Sequence, residues 1–506
     1  LTLRFPAARK ITIYPLDEKG NRKSALSIQS TDSGTTAQID TGRDNAVWYE
    51  FEVNSDSDST DYSVPASGVF QLYTDPSLDQ QQVGWLQVDN INGGSVRPSA
   101  LLEYSTRGVL TSMVRLPASS PTVLARSPVI HNAQVDTAIA VLNKQPSPSR
   151  VMLRLLDSSG TSAGESPIDL NPGEAKAFFL REKFDLQAFS EGLLELKADA
   201  PFYAITLRST NNAAGDFSLT PYPQEFPTSG TLYFAHLAAD PSYSSDVILW
   251  NSQDKPVTAR VEFSNPSGQP TAPPNQPASA DVSLLPGQLR RMTIPQSSAS
   301  FYGYARLTLR SGTTLPSATV VITRWENGAP VSEAGIPGTP ALAEDTLLIA
   351  ERPSQQTALA LLNPSAREVT AELRILGAEG SRPVPGKVQI KLQPGEKRAF
   401  FLYEIFTGMP PYLNSMLQVK ADASVAMLEL LGVVNERGNF LIAALTGEAV
   451  HSSLAAGAVA VIPRYATGAG YRTLLYLLPD ATGGSPSQGK VRFFDSSGAP
   501  QRLFFR

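Results

Sequence analysis

One five-residue stretch, GTSAG at 160–164, carries the Gly-x-Ser-x-Gly spacing that can hold a serine nucleophile above a sheet. That chemistry needs a strand-to-helix turn under Ser162. The flanking residues instead alternate apolar and polar on both sides, which predicts a hairpin with Ser162 in its loop. The chain has 3 histidines, His131, His236 and His451, and none lies four residues from another, so no helical metal pair can form. His131 and His236 begin similar segments, VIHNAQ and YFAHLA, and are expected to be structural or exposed. With no cysteine at all, disulfides, thiolate metal sites and cysteine nucleophiles are excluded.

Two other groups of side chains could bind something. NSDSDSTD at 54–61 gathers Asp56, Asp58 and Asp61, oxygen ligands suited to Ca²⁺. An EF-hand loop would need Gly at its sixth position and Glu at its twelfth, where Asp61 and Ser67 stand, so a solvated acidic loop is the competing reading. The aromatic residues Trp48, Tyr49, Trp85, Trp250 and Trp325 could form a sugar platform, but rings of this size in strands are expected mainly in the core. No other cofactor is indicated.

Composition narrows the class. A length of 506 residues exceeds one hydrophobic core, and 40 Pro with 36 Gly fit turn-rich folded modules. The net charge of -5 and the lack of basic runs argue against nucleic acid as a partner. No apolar run is long enough for a membrane span.

The elements that carry these residues repeat. LRLLDSSG (153–160), VEFSNPSG (261–268), LRILGAEG (373–380) and VRFFDSSG (491–498) share apolar residues seven and five before a glycine, with a charged residue between. Period two with charge outward predicts a strand with one wet face. IDLNPG (168–173), VSLLPG (282–287) and IKLQPG (390–395) are strands closed by Pro-Gly turns. NPGEAKAFFLREKF and QPGEKRAFFLYEIF match across 222 residues, so alternate modules resemble each other more than adjacent ones. This predicts a duplicated two-module unit. The expected fold is all-β, in antiparallel β-sandwich modules at 119–227, 228–342 and 343–457, with a divergent N-terminal β region at 1–118 and a partial module at 458–506.

With GYRTLLYLLPD (470–480), LALLNPS (359–365) and RFFDSSG (492–498), the repeats resemble the tandem Ig-like β-sandwich modules of bacterial cell surfaces and extracellular filaments. The resemblance covers about 119–506. It implies a non-catalytic, secreted scaffold at the cell surface, an adhesin or a fibre subunit. The two incomplete ends lead to the expectation of a head-to-tail polymer of copies of the chain. In it, Val491, Phe493, Leu503 and Phe505 of one copy would complete the module around Leu1, Leu3 and Phe5 of the next. A monomeric stalk or adhesin, touching other surface components, is the alternative. A carbohydrate-active enzyme would require a catalytic domain that no segment supplies.

Overall fold

The computed structural model describes residues 2–5, 10–17, 22–26, 29–31, 34–46, 49–54, 59–222, 228–376, 386–445, 454–479 and 485–503. It is almost entirely β-strand. The described strands before residue 55 form two small sheets of their own, in which Lys10–Pro15 pairs with Tyr49–Asn54.

The plan of the rest is plainest in residues 232–337, here unit III. Its eight strands are Leu232–Ala239, Tyr243–Trp250, Val257–Ser264, Ser279–Leu284, Leu289–Ile294, Phe301–Ser311, Ser317–Glu326 and Ala329–Pro337. The third strand buries every second residue, so Val257, Ala259, Val261 and Phe263 face the core while Thr258, Arg260 and Glu262 face outward. Its strands fall into two antiparallel sheets, ordered first-sixth-third-fourth and fifth-second-seventh-eighth. Units II (122–222) and IV (342–445) repeat this order. In them, the sixth and seventh strands are one long strand, Glu191–Asn211 or Leu413–Val434, that serves both sheets. The sandwich-like architecture therefore agrees with the resemblance, but the strand order does not. An immunoglobulin domain would place its first, second, fifth and fourth strands together.

The expectation of incomplete terminal modules at 1–118 and 458–506 is corrected. Val459–Thr467, Tyr471–Pro479 and Ser487–Asp495 are the first three strands of a unit whose remaining five are Thr60–Val64, Phe70–Tyr73, Gln82–Gly93, Val96–Thr106 and Val109–Pro117. Their order is the same as in unit III. Each half would present unpaired strand edges and an apolar face, and each supplies what the other lacks. SVPASG (63–68), which departs from the Pro-Gly pattern, still makes the turn after the fourth strand, where Gly68 N–H donates to the Pro65 carbonyl.

The repeated turns serve as joints. Asp157, Asn265 and Asp495 each accept backbone N–H bonds at 2.8–3.1 Å from the residues two and four further on. Each such turn meets the Pro-Gly turn of the following unit: Gly160 meets Gly287, Gly268 meets Gly395, and Gly498 meets Gly173. Gly268 has φ +83°, and a Cβ there would lie 2.8 Å from the backbone of Gly395. Gly268→Ala is therefore expected to destabilise the chain by about 1–3 kcal/mol, which a denaturant midpoint would read.

Beyond these turns, one sheet of each unit packs on the second sheet of the next. Ile130 and Leu156 of unit II meet Ile248 and Trp250 of unit III, and Leu348 and Met416 of unit IV meet Leu101 and Tyr476 of unit I. The cores of I and II, and of III and IV, are likewise continuous. The eighth strands, Val109–Pro117, Phe217–Tyr222, Ala329–Pro337 and Phe440–Ala444, touch one another in a cycle. The four units thus close into a ring around these strands. Units I and III share one construction and units II and IV the other, so the chain holds two similarly organised halves.

Candidate functional site

The sequence-derived candidates do not assemble into a catalytic centre among the described residues. Ser162 begins an exposed hairpin strand, Ser162–Leu170, with no histidine at hand. His131 follows the first strand of unit II, with its Nδ1 3.8 Å from Asp136. His236 instead sits inside the first strand of unit III, where a bulge falls between Phe234 and Leu237. The two are therefore not equivalent positions. His451 lies outside the described residues.

Asp61 is exposed, opposite Lys490 in strand Thr60–Val64, while Asp56 and Asp58 lie outside the described residues. No cluster of three or more metal-ligating side chains occurs among the described residues. Trp85 stacks on Phe494 at 4.0 Å, and its Nε1 donates to the Gly173 carbonyl at the joint of units I and II. Trp250 is buried between II and III, and Trp325 donates to Ser244 Oγ at 2.8 Å. Trp48 is outside the described residues.

Of the residues expected to join one copy to the next, Val491 and Phe493 are used within the chain. Val491 pairs with Val88 and Phe493 with Leu86, and both are buried in the core that Leu503 borders. Leu1 and Phe505 are outside the described residues. Leu3 and Phe5 belong to strand Thr2–Phe5, which pairs with Gly34–Gln38.

Two polar groupings that the sequence reading missed are built into the joints. Between units II and III, Arg208 Nε and Nη2 donate to both carboxylate oxygens of Glu333 at 2.9 and 3.1 Å, and Thr210 and Thr323 add hydroxyl bonds. Burial alone would raise the Glu333 pKa. The adjoining guanidinium and these hydrogen bonds override it and hold the carboxyl below its ordinary range.

Between units III and IV, Lys397 Nζ lies 2.7 Å from His236 Nδ1. Lys397 is 6% exposed, and burial pushes its ammonium down to about 7. Burial, then the neighbouring Lys397, keeps His236 neutral well below the usual imidazole range. The two bases share a site that no described carboxylate neutralises. On one side lies a cavity of about 300 Å³ bordered by His236. Small residues make room for it: Ala358, Ala360, Ala399 and Gly432. Phe400, Phe401, Phe440 and Tyr243 form its walls, with Tyr302 and Glu404 exposed along its lining. On the other side of the joint is a more polar cleft that includes Arg260, Glu262 and Tyr304.

The buried lysine carries a cost that can be read. Its folded pKa lies below that of the unfolded chain, so unfolding takes up protons, and stability should rise as pH goes from about 7 toward the ordinary value of 10.5. Lys397→Leu removes that cost but orphans the imidazole Nδ1. A net gain of roughly 1–4 kcal/mol at pH 7 is expected, together with loss of this alkaline gain, as read by denaturation at pH 7 and 10.

No family model and no curated protein matches this sequence. Solved structures with some similarity include a calcium-binding mutant of Bacteroides uniformis β-glucuronidase 2, at 10% identity and TM-score 0.10, covering 54% of this chain and 34% of that one. The infectious bursal disease virus VP2 subviral particle follows at 10% identity and TM-score 0.12, covering 77% and 84%. A glycoside hydrolase family 32 protein from Bifidobacterium adolescentis has 9% identity and TM-score 0.14, covering 98% and 97%. The chain spans about a third of the β-glucuronidase. Such scores carry no argument about activity.

Proposed function

We propose that this protein is a non-catalytic structural element of the cell exterior, a self-closed block of four two-sheet units that acts as a spacer or adhesive body. The observation that carries the proposal is the pairing of Ser487–Asp495 with both Gln82–Gly93 and Thr60–Val64. It closes the ring with the chain's own strands, so that unit I needs no strand from a second copy. Placement at the cell exterior rests on the resemblance of the repeats.

This favours the monomeric stalk or adhesin over the head-to-tail fibre. A fibre built by strand complementation would require Ser487–Asp495 to leave its own unit and enter the same place in a neighbour, which is a domain swap. Sedimentation with negative-stain microscopy tests the reading: a monodisperse particle of one chain is expected, and fibres that dissolve into swapped dimers or monomers on dilution would overturn it. A panel of glycan substrates is expected to show no turnover.

A further inference from the structure

We propose that the cavity between units III and IV binds a small aromatic carboxylate, whose acid group meets His236, itself bonded to the buried Lys397, and whose ring fills the aromatic-walled space. Three observations carry this. First, the side chains around this space differ from those at two matching joints. In the matching joint of units I and II, the bulge position of His236 is Arg464, the Lys397 position is Ala175, and Tyr104 occupies the place of Arg324. Tyr104 there stacks on Tyr471 at 4.3 Å and meets Phe217 edge-on at 6.1 Å. In the joint of units III and IV, Arg324 instead lies over Tyr243 at 4.9 Å, and Tyr243 lines the cavity. In the joint of units II and III, buried Ile248 stands at the position of Ala360.

Second, the basic group on the lining is His236, backed by Lys397, and no described carboxylate is bonded to either. Lys397 has three donors, and its described hydrogen-bond partner is His236 Nδ1. With Nδ1 so engaged, the other imidazole nitrogen is the one left for a ligand along the cavity lining. A carboxylate there would supply the counter-charge that the joint itself does not, and would draw a proton onto the pair. Third, the remaining lining is apolar and aromatic and suits one ring. The other ionisable groups along it are the tyrosines and Glu404, and Tyr302 is bonded to Asp240. Glu404 receives the Phe401 N–H at 3.1 Å. Glu404 is exposed, so solvent screens its repulsion of a bound carboxylate.

The test is calorimetric titration of the full chain with benzoate and with neutral benzyl alcohol, in two buffers of different ionisation enthalpy. Benzoate is expected to bind at least tenfold more tightly than the alcohol. At pH 8 it should take up close to one proton per site, and at pH 9.5 it should weaken at least fivefold. Lys397→Met should abolish the preference for benzoate. Ala360→Ile, which leaves the pair intact and fills the cavity, should abolish binding of both. The proposal fails if neither probe binds, if the alcohol binds as well as benzoate, or if benzoate binds the Ala360→Ile protein unchanged.

Discussion

Truncation after Ser485 is expected to unfold the unit shared by the two ends of the sequence, and not to release monomers from a polymer. The strand lost, Ser487–Asp495, is the third of unit I and is paired on both sides, to Gln82–Gly93 and to Thr60–Val64. Its Ser487, Val491 and Phe493 are at most 3% exposed, and Phe493 meets Tyr465 edge-on at 5.2 Å. Removing it strips one face of the core and frees the edges of two strands. No rearrangement within the unit can replace both. Hydrogen exchange should show residues 60–64 and 82–93 exchanging as an unfolded chain, while 232–337 stay protected. The milder Phe493→Ala should cost about 3–5 kcal/mol. A truncated chain with its melting curve unchanged would refute this account of ring closure.

The second large effect lies at the joint of units II and III. Glu333→Leu alone leaves the Arg208 guanidinium buried without its carboxylate, and a loss of about 3–5 kcal/mol is expected. Arg208→Met/Glu333→Leu replaces both charges with apolar groups of similar size and should recover most of it. A double variant no better than the single would mean that the hydroxyls of Thr210 and Thr323 cannot be left unbonded. The pair also sets an acid limit. Because the folded Glu333 pKa lies below its unfolded value, its contribution is present above the ordinary carboxylate range and is lost as pH falls through the folded pKa. Acid unfolding of the double variant should therefore begin at lower pH than in the parent, as followed by circular dichroism.

Much of this architecture is legible in the sequence, for definite reasons. Alternation in VEFSNPSG and its relatives marks strands because one face must be dry and the other wet. The glycine ending that motif is required by a positive φ and by the neighbouring turn, here at Gly268 against Gly395. The likeness of alternate modules reflects the two constructions around the ring. What alternation does not encode is which edge a strand will find. Val491 and Phe493 read as sticky, but their partners Val88 and Leu86 lie some four hundred residues earlier.

The joints were hidden for a different reason. Arg208, Glu333 and Lys397 look like ordinary surface charges, since a strand's outward face becomes interior only when another unit covers it. One signal was available. In NPGEAKAFF and QPGEKRAFF, Ala175 and Lys397 occupy the same position, so a site that accepts a methyl group in one copy accepts an amine in the other. The histidine opposite, at a bulge, has no signature in the pattern.

The order in which the shared unit is written also has a consequence for synthesis. The strands ending at Pro117 leave the ribosome long before Val459 is made, and at about 5–20 residues per second the wait is roughly 20–70 s. Throughout it, Gln82–Gly93 offers a bare edge while units II, III and IV mature beside it. Expression yield should therefore depend on how quickly the codons for residues 459–495 are read and on chaperones that shield that edge, even though the folded particle conceals it.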